Sequence, residues 1–146
     1  MAELCQYCTF YLDGHYFGVE VLRVQEVIKA QEMANVPLSA HAVSGLINLR
    51  GEIVMALDLR RILGFDERKP EDLPTNVVIH AHNETIALLV DEIGDVLEVD
   101  EEDHENTPGT VESKVRALLE GVYKLEEGLL LILDVDKVVS AEMEPA

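Results

Sequence analysis

The chain has 146 residues, 48% of them apolar and 5% aromatic, with 29 acidic against 11 basic side chains and a net charge of -18. That length supports one domain, or two small lobes sharing a boundary, and the apolar share excludes a disordered chain. The acidic balance excludes nucleic acid, whose phosphates need clustered cations, and disfavours anionic membrane surfaces; it reads first as a solubilising surface.

The N-terminal M-A-E-L-C-Q-Y-C has no basic stretch ahead of an apolar one, and the longest wholly apolar run, Leu129 to Leu133, is too short to cross a bilayer. A cytosolic protein that does not bind membranes directly is expected. Cys5 and Cys8 form a C-x-x-C, but Q-Y-C-T-F-Y-L alternates like a strand and places them on opposite faces. Two free thiols are expected, with neither zinc nor redox chemistry. Residues 6 to 12, the pair Asp13-Gly14 and the run Tyr16 to Val21 predict a hairpin. Val24, Val27 and Ile28 recur at i, i+3, i+4 and predict a short helical turn. An irregular crossing follows, with Pro37 breaking any ladder.

In G-L-I-N-L-R-G-E-I-V-M-A-L-D-L, residues 45 to 59, two strand-like runs flank Arg50-Gly51 and place a cation where the pattern predicts core. Leu59 to Leu63 reads as a short helix stopped by Gly64. Residues 65 to 76, F-D-E-R-K-P-E-D-L-P-T-N, are the linker. Beyond it V-V-I-H-A-H predicts an edge strand, Asn83-Glu84 a turn, and I-A-L-L-V a buried strand. An acidic loop spans residues 100 to 114. Strands around Leu118 to Leu125 and Leu129 to Leu133 then surround a turn at Glu126 to Gly128, and a helix begins near Asp134.

The chain repeats itself. Residues 53 to 63 lie over 129 to 139 with every apolar position matched, and the same offset sets Gly45 on Gly121, Leu49 on Leu125 and Arg50 on Glu126. Upstream, residues 17 to 27 lie over 86 to 96 and set Glu26 on Asp95. Two similar lobes of about five short strands are expected, each closing into a barrel that hides its edges. The expected division is about 14–76 and about 77–134 within one domain of residues 1–146, with the N- and C-terminal segments as candidates for exchange between lobes.

Catalytic motifs do not emerge. Neither a P-loop nor G-x-G-x-x-G is present, and Ser44-Gly45 lacks the first glycine of a nucleophile elbow. His80 and His82 read as solvent-facing residues on one strand face, and D-E-E-D-H-E lacks the glycine and glutamate of a calcium loop. Asp58 and Asp134, where strands pass into helices, read as N-caps. Arg50 needs a partner if it is buried, and Glu26 is the candidate.

The motifs G-L-I-N-L-R-G-E-I-V-M-A-L-D-L-R, F-G-V-E-V-L-R-V-Q-E-V, I-A-L-L-V-D-E-I-G-D-V and G-L-L-L-I-L-D-V together resemble the CheW-like domain of bacterial chemotaxis coupling proteins. The resemblance implies a mainly β fold of two SH3-like five-stranded barrels with short helices. It implies no active site, no cofactor and no metal. The implied role is an adaptor between the cytoplasmic tips of methyl-accepting chemotaxis receptors and the regulatory domain of a CheA-type histidine kinase in membrane-associated arrays. The same domain also suits a coupling role in a motility or developmental pathway. It further implies that the receptor tip docks between the lobes, on Val24, Glu26, Gly45 and Arg50 from the first and Val77 and Ile86 from the second. Val36, Leu38 and Ile53 are the candidates for kinase contact. Met55, Ala40 and Ala87 depart from the family pattern, which has proline at the first two positions and glycine at the third.

Overall fold

The computed structural model describes residues 3–36 and 42–143. In chain order the elements are β1 (Leu4–Leu12), β2 (His15–Glu20), β3 (Val24–Ile28), β4 (Val43–Leu49), β5 (Glu52–Asp58), α1 (Leu59–Leu63), β6 (Thr75–Ala81), β7 (Glu84–Val90), β8 (Glu92–Asp100), α2 (Ser113–Arg116), β9 (Leu119–Leu125), β10 (Gly128–Leu133) and α3 (Val135–Met143). Single 3-10 turns at Val21–Arg23 and Glu101–Asp103 lead into β3 and out of β8.

Three of the hairpins turn on two residues of positive φ: Asp13-Gly14 (48°, 80°), Arg50-Gly51 (52°, 89°) and His82-Asn83 (52°, 61°). Such turns match the right-handed twist of the strands they join, and glycine or asparagine at the second position carries the left-handed backbone at least cost. Arg50 is therefore a turn residue, with a side chain 67% exposed, and not a core cation. The second-half turn sits one residue earlier than Asn83-Glu84, so His82 leaves the strand and does not share a face with His80. Nor is β6 an edge strand, since it runs between β3 and β7.

Two five-stranded sheets result, in the orders β8-β1-β2-β10-β9 and β3-β6-β7-β5-β4. They cut across the expected boundary at residue 76. The central lobe takes the contiguous run β3 to β7, and the terminal lobe joins the first two strands to the last three. The sequence repeat maps β1, β2, β8, β9 and β10 onto β6, β7, β3, β4 and β5, and this exchange converts one strand order into the other. The edge strands even share their bulge, between Val24 and Glu26 against β6 and between the partners of Cys8 and Phe10 on β8.

The segment Val24–Ile28 is a strand where the spacing predicts a helical turn. Two valines and an isoleucine in five residues favour the pleated state, and pairing with β6 satisfies the backbone. Barrel closure is also partial. β3 and β4 end opposite sides of one sheet, and among the described residues the crossing between them meets β4 at the bridge Ala34 to Leu46; Glu105 to Val122 is its repeat mate in the terminal lobe. Gly45 and Gly121 make these bridges fit. A Cβ on Gly45 would lie 2.8 Å from the Ala34 carbonyl oxygen, and one on Gly121, at φ 151°, 2.7 Å from that of Glu105.

One apolar cluster fills each sheet's concave side, Ile47, Val54, Val78 and Leu89 in the central lobe and Tyr7, Tyr123, Leu130 and Ile132 in the terminal one. The largest cluster lies between the sheets, where Phe10, Phe17, Val19 and Leu131 meet Leu57, Val77, Ile79, Ile86 and Leu88. Asp58 caps α1 by accepting from the Arg60 N–H at 3.1 Å, and Gly64 ends that helix at φ 79°. Asp134 accepts from the Lys137 N–H at the start of α3. Cys5 packs with the terminal-lobe cluster while Cys8, an odd number of residues on, faces the inter-sheet side, and both are free thiols. Ala87 is buried at ordinary negative φ, so its methyl costs no strain. Pro37 and Ala40 lie outside the described residues.

Candidate functional site

The Arg50-Gly51 turn projects the guanidinium toward the edge strand β3. There Nη1 donates to Glu26 Oε1 at 3.0 Å and Nη2 donates to Glu26 Oε2, a two-point pair across the mouth of the central lobe. The Arg50 guanidinium, helped by the Gln25 amide, holds the Glu26 carboxyl at about 2, well below its usual range. Glu26 lies opposite Val78, so its side chain leaves β3 on the face that lines the central-lobe cluster.

The expected site residues divide by depth. Glu26 and Arg50 meet; Val24 is half-buried on the edge; Gly45 is buried where the crossing touches β4. Val77 and Ile86 are 0% and 2% exposed, in the inter-sheet core beneath the edge. All six belong to the central sheet, so they do not come from two lobes as expected. Of the kinase candidates, Ile53 stands 62% exposed on β5, two residues from the exposed Met55, while Val36 is half-buried in the crossing. Leu38 lies outside the described residues.

Val27, Ile93 and Val96, which the sequence motifs do not single out, join the expected Val24. Val24 and Val27 pair with Ile79 and Val77, on the face that packs between the sheets. On β8, Ile93 and Val96 pair with Phe10 and Cys8, on the corresponding face of the other sheet. The inter-sheet core thus runs out to solvent along both edge strands, with Val27 at 38%, Ile93 at 37% and Val96 at 56% exposure. The signal was present in the sequence: the offset that sets Glu26 on Asp95 also sets Val24 on Ile93 and Val27 on Val96.

Two ion-pair clamps hold the sheets together beside these edges. Arg60 on α1 donates to Asp91, just before β8, at 2.8 and 2.5 Å, and Arg68 from the linker joins at 2.9 Å. Burial pushes the Asp91 carboxyl up, but hydrogen bonds from Arg60, the Asp13 N–H and Arg68 outweigh it and hold the group at about 2. At the repeat-related position Asp136 on α3 accepts from Arg23, just before β3, at 2.5 and 3.2 Å. The helix position is kept, the partner shifts by one residue, and the polarity is reversed.

Among the described residues no group of three or more His, Cys, Asp or Glu is placed to hold a metal ion, and no helix is long and apolar enough to cross a membrane. The arrangement offers recognition: an apolar edge on each sheet, a paired cation and acidic surroundings.

The model of the CheW-like domain matches residues 6–143. The chain is 32% identical to the chemotaxis protein CheW of Thermotoga maritima over 90% of its own length and 85% of the relative's. It is 30% identical to that of Bacillus subtilis over 92% and 86%. The crystal structure of the scaffolding protein TtCheW from Thermoanaerobacter tengcongensis superposes with a TM-score of 0.82 at 26% identity, covering 94% of this chain and 92% of that one.

Proposed function

The chain belongs to the CheW-like family, and from that premise we propose that it is a non-catalytic adaptor coupling transmembrane chemoreceptors to a CheA-type histidine kinase in a chemosensory array. The observation that carries this reading is the pair of solvent-reaching apolar edges, Val24 and Val27 on β3 and Ile93 and Val96 on β8, continuous with the core between the sheets. Such a pair of edges suits an amphipathic helical hairpin, which buries an apolar stripe and keeps its polar face in water. The receptor tip is the natural occupant in this reading.

Arg50 and Glu26 then act from the other face of β3. Their pair holds the β4–β5 turn against β3 and offers polar contacts beside the apolar edge. Gly45 shapes the crossing next to it, and Val77 and Ile86 support the edge from below without touching a ligand. The kinase regulatory domain is assigned the exposed outer face of the β4–β5 hairpin around Ile53, with Val36 in the crossing; Leu38 stays a candidate from the sequence alone. Association with the kinase and receptors would bring the protein to the membrane array without any membrane contact of its own.

The test is a pull-down with a receptor-tip fragment and, separately, the kinase regulatory domain, using the full chain and its Arg50→Asp variant. The variant is expected to stay folded, because Arg50 is exposed, to lose the receptor fragment and to keep the kinase. Unchanged receptor capture would remove Arg50 and Glu26 from the site. Failure of the unmodified chain to bind either partner would remove the adaptor reading itself. Val27→Asp and Val96→Asp are the companion variants, each expected to weaken receptor capture alone.

A further inference from the structure

The mouth of the terminal lobe is built differently from that of the central lobe. Where the central lobe has Glu26 and Arg50, the repeat puts Asp95 and Glu126, and the two acids line an open cavity of about 640 Å³. Its wall is the stacked pair Tyr11 and Tyr16, ring centroids 4.8 Å apart, with Leu125 alongside. Among the described residues no Lys or Arg lines it. The wall is fixed in place: Tyr16 donates to Thr9 Oγ1 at 3.0 Å, and the buried Thr9 donates to the Asp95 carbonyl at 2.5 Å. The Tyr11 phenol is pushed up by burial, then by Tyr16 and the carboxylates of Glu127, Glu92 and Asp95.

We propose that this mouth receives an arginine side chain from a partner protein, seated between the Asp95 and Glu126 carboxylates and against the Tyr11–Tyr16 stack, in the place that Arg50 fills within the central lobe. Carboxylates accept the planar guanidinium fork by paired, charge-assisted hydrogen bonds, and aromatic faces attract it. The molecule contains its own precedent, since the carboxylate at the repeat-equivalent position, Glu26, already holds a guanidinium at two points. The site lies in the other lobe from Arg50 and Ile53 and does not depend on the adaptor reading.

The full chain, isotopically labelled, would be titrated at physiological salt with N-acetyl-arginine amide and with its neutral isostere N-acetyl-citrulline amide. Saturable shifts confined to Tyr11, Tyr16, Gly94 and Leu125 are expected with arginine and none with citrulline. The Asp95→Asn/Glu126→Gln pair of substitutions should raise the Kd about tenfold or more, as loss of charge-assisted bonds demands. Tyr11→Leu should weaken binding while leaving the charge intact. Glu101→Gln/Glu102→Gln removes the same charge elsewhere and should change nothing. Equal response to citrulline, shifts spread over the acidic surface, or equal weakening by the remote pair would each overturn the site.

Discussion

The two lobes are one design executed with opposite charges. In the central lobe Arg50 pairs with Glu26, while in the terminal lobe the same positions hold Glu126 and Asp95 and line an open cavity. The clamps invert likewise. A cation on α1 grips Asp91 ahead of β8, and an anion on α3 grips Arg23 ahead of β3. Strand order, bulges and crossing bridges are kept in both. Backbone geometry is thus what the fold demands, and charge is what each lobe is free to spend on recognition.

The comparison can be broken at its shared parts or sharpened at its differences. The largest effect is expected at the bridges. Gly121→Val adds a branched side chain at φ 151° against Glu105, and should cost about 3 kcal/mol or more in urea unfolding. Gly45→Ala meets Ala34 but keeps an ordinary backbone, and should cost less. Equal effects would mean that the bridges, and not the backbone sign, dominate.

The clamps come next. Asp91→Ala leaves Arg60 and Arg68, with side chains only 14% and 9% exposed, facing a lost anion, and should cost about 2 to 3 kcal/mol. Asp136→Ala acts on a pair 33% and 46% exposed, and should cost under about 1 kcal/mol after solvent screening.

Acid sharpens the same contrast. Asp91 is depressed in the folded state, so its stabilisation is complete above its ordinary value of 3.8 and lost as pH falls toward about 2. Glu26 behaves likewise from 4.5 downward. Unfolding followed by circular dichroism between pH 5 and 2 should therefore show a fall that Asp91→Asn flattens more than Asp136→Asn does. The smallest effect is reserved for Leu22, the repeat mate of Asp91, which is 92% exposed. Leu22→Ser should move stability by no more than about 0.5 kcal/mol.

Much of this was legible in the sequence, because a repeat exposes what each position must do. The offset of the C-terminal match paired β5 with β10 and α1 with α3, and it placed both capping aspartates. The Glu26–Arg50 pairing is also expected from the sequence, but on the premise of a buried Arg50, whereas the pair forms with an exposed one. Three things were hidden. Val24–Ile28 carries both a helical spacing and β-branched residues, and only its long-range pairing to β6 decides between them. The apolar runs that flank Arg50-Gly51 point to core, although the glycine at the second position already fits a tight hairpin turn. Which strands share a sheet depends on contacts such as Tyr16 with Leu130, which no local pattern encodes. Placing Val77 and Ile86 at a surface was a consequence of that last gap, for strands taken as a separate lobe prove to lie beneath β3.

The interleaving of the strands also sets an order of assembly. β3 to β7 form one uninterrupted stretch and can complete their sheet as soon as they have left the ribosome. β1 and β2 emerge first but find β8, β9 and β10 only at the end of synthesis, so the terminal lobe must close a loop that contains the whole central one. Until then the inter-sheet face of Phe10, Phe17 and Val19 has only half its partners. The stage most exposed to aggregation is therefore a nascent chain with one finished lobe and a hairpin in waiting, and truncation after β7 should trap it.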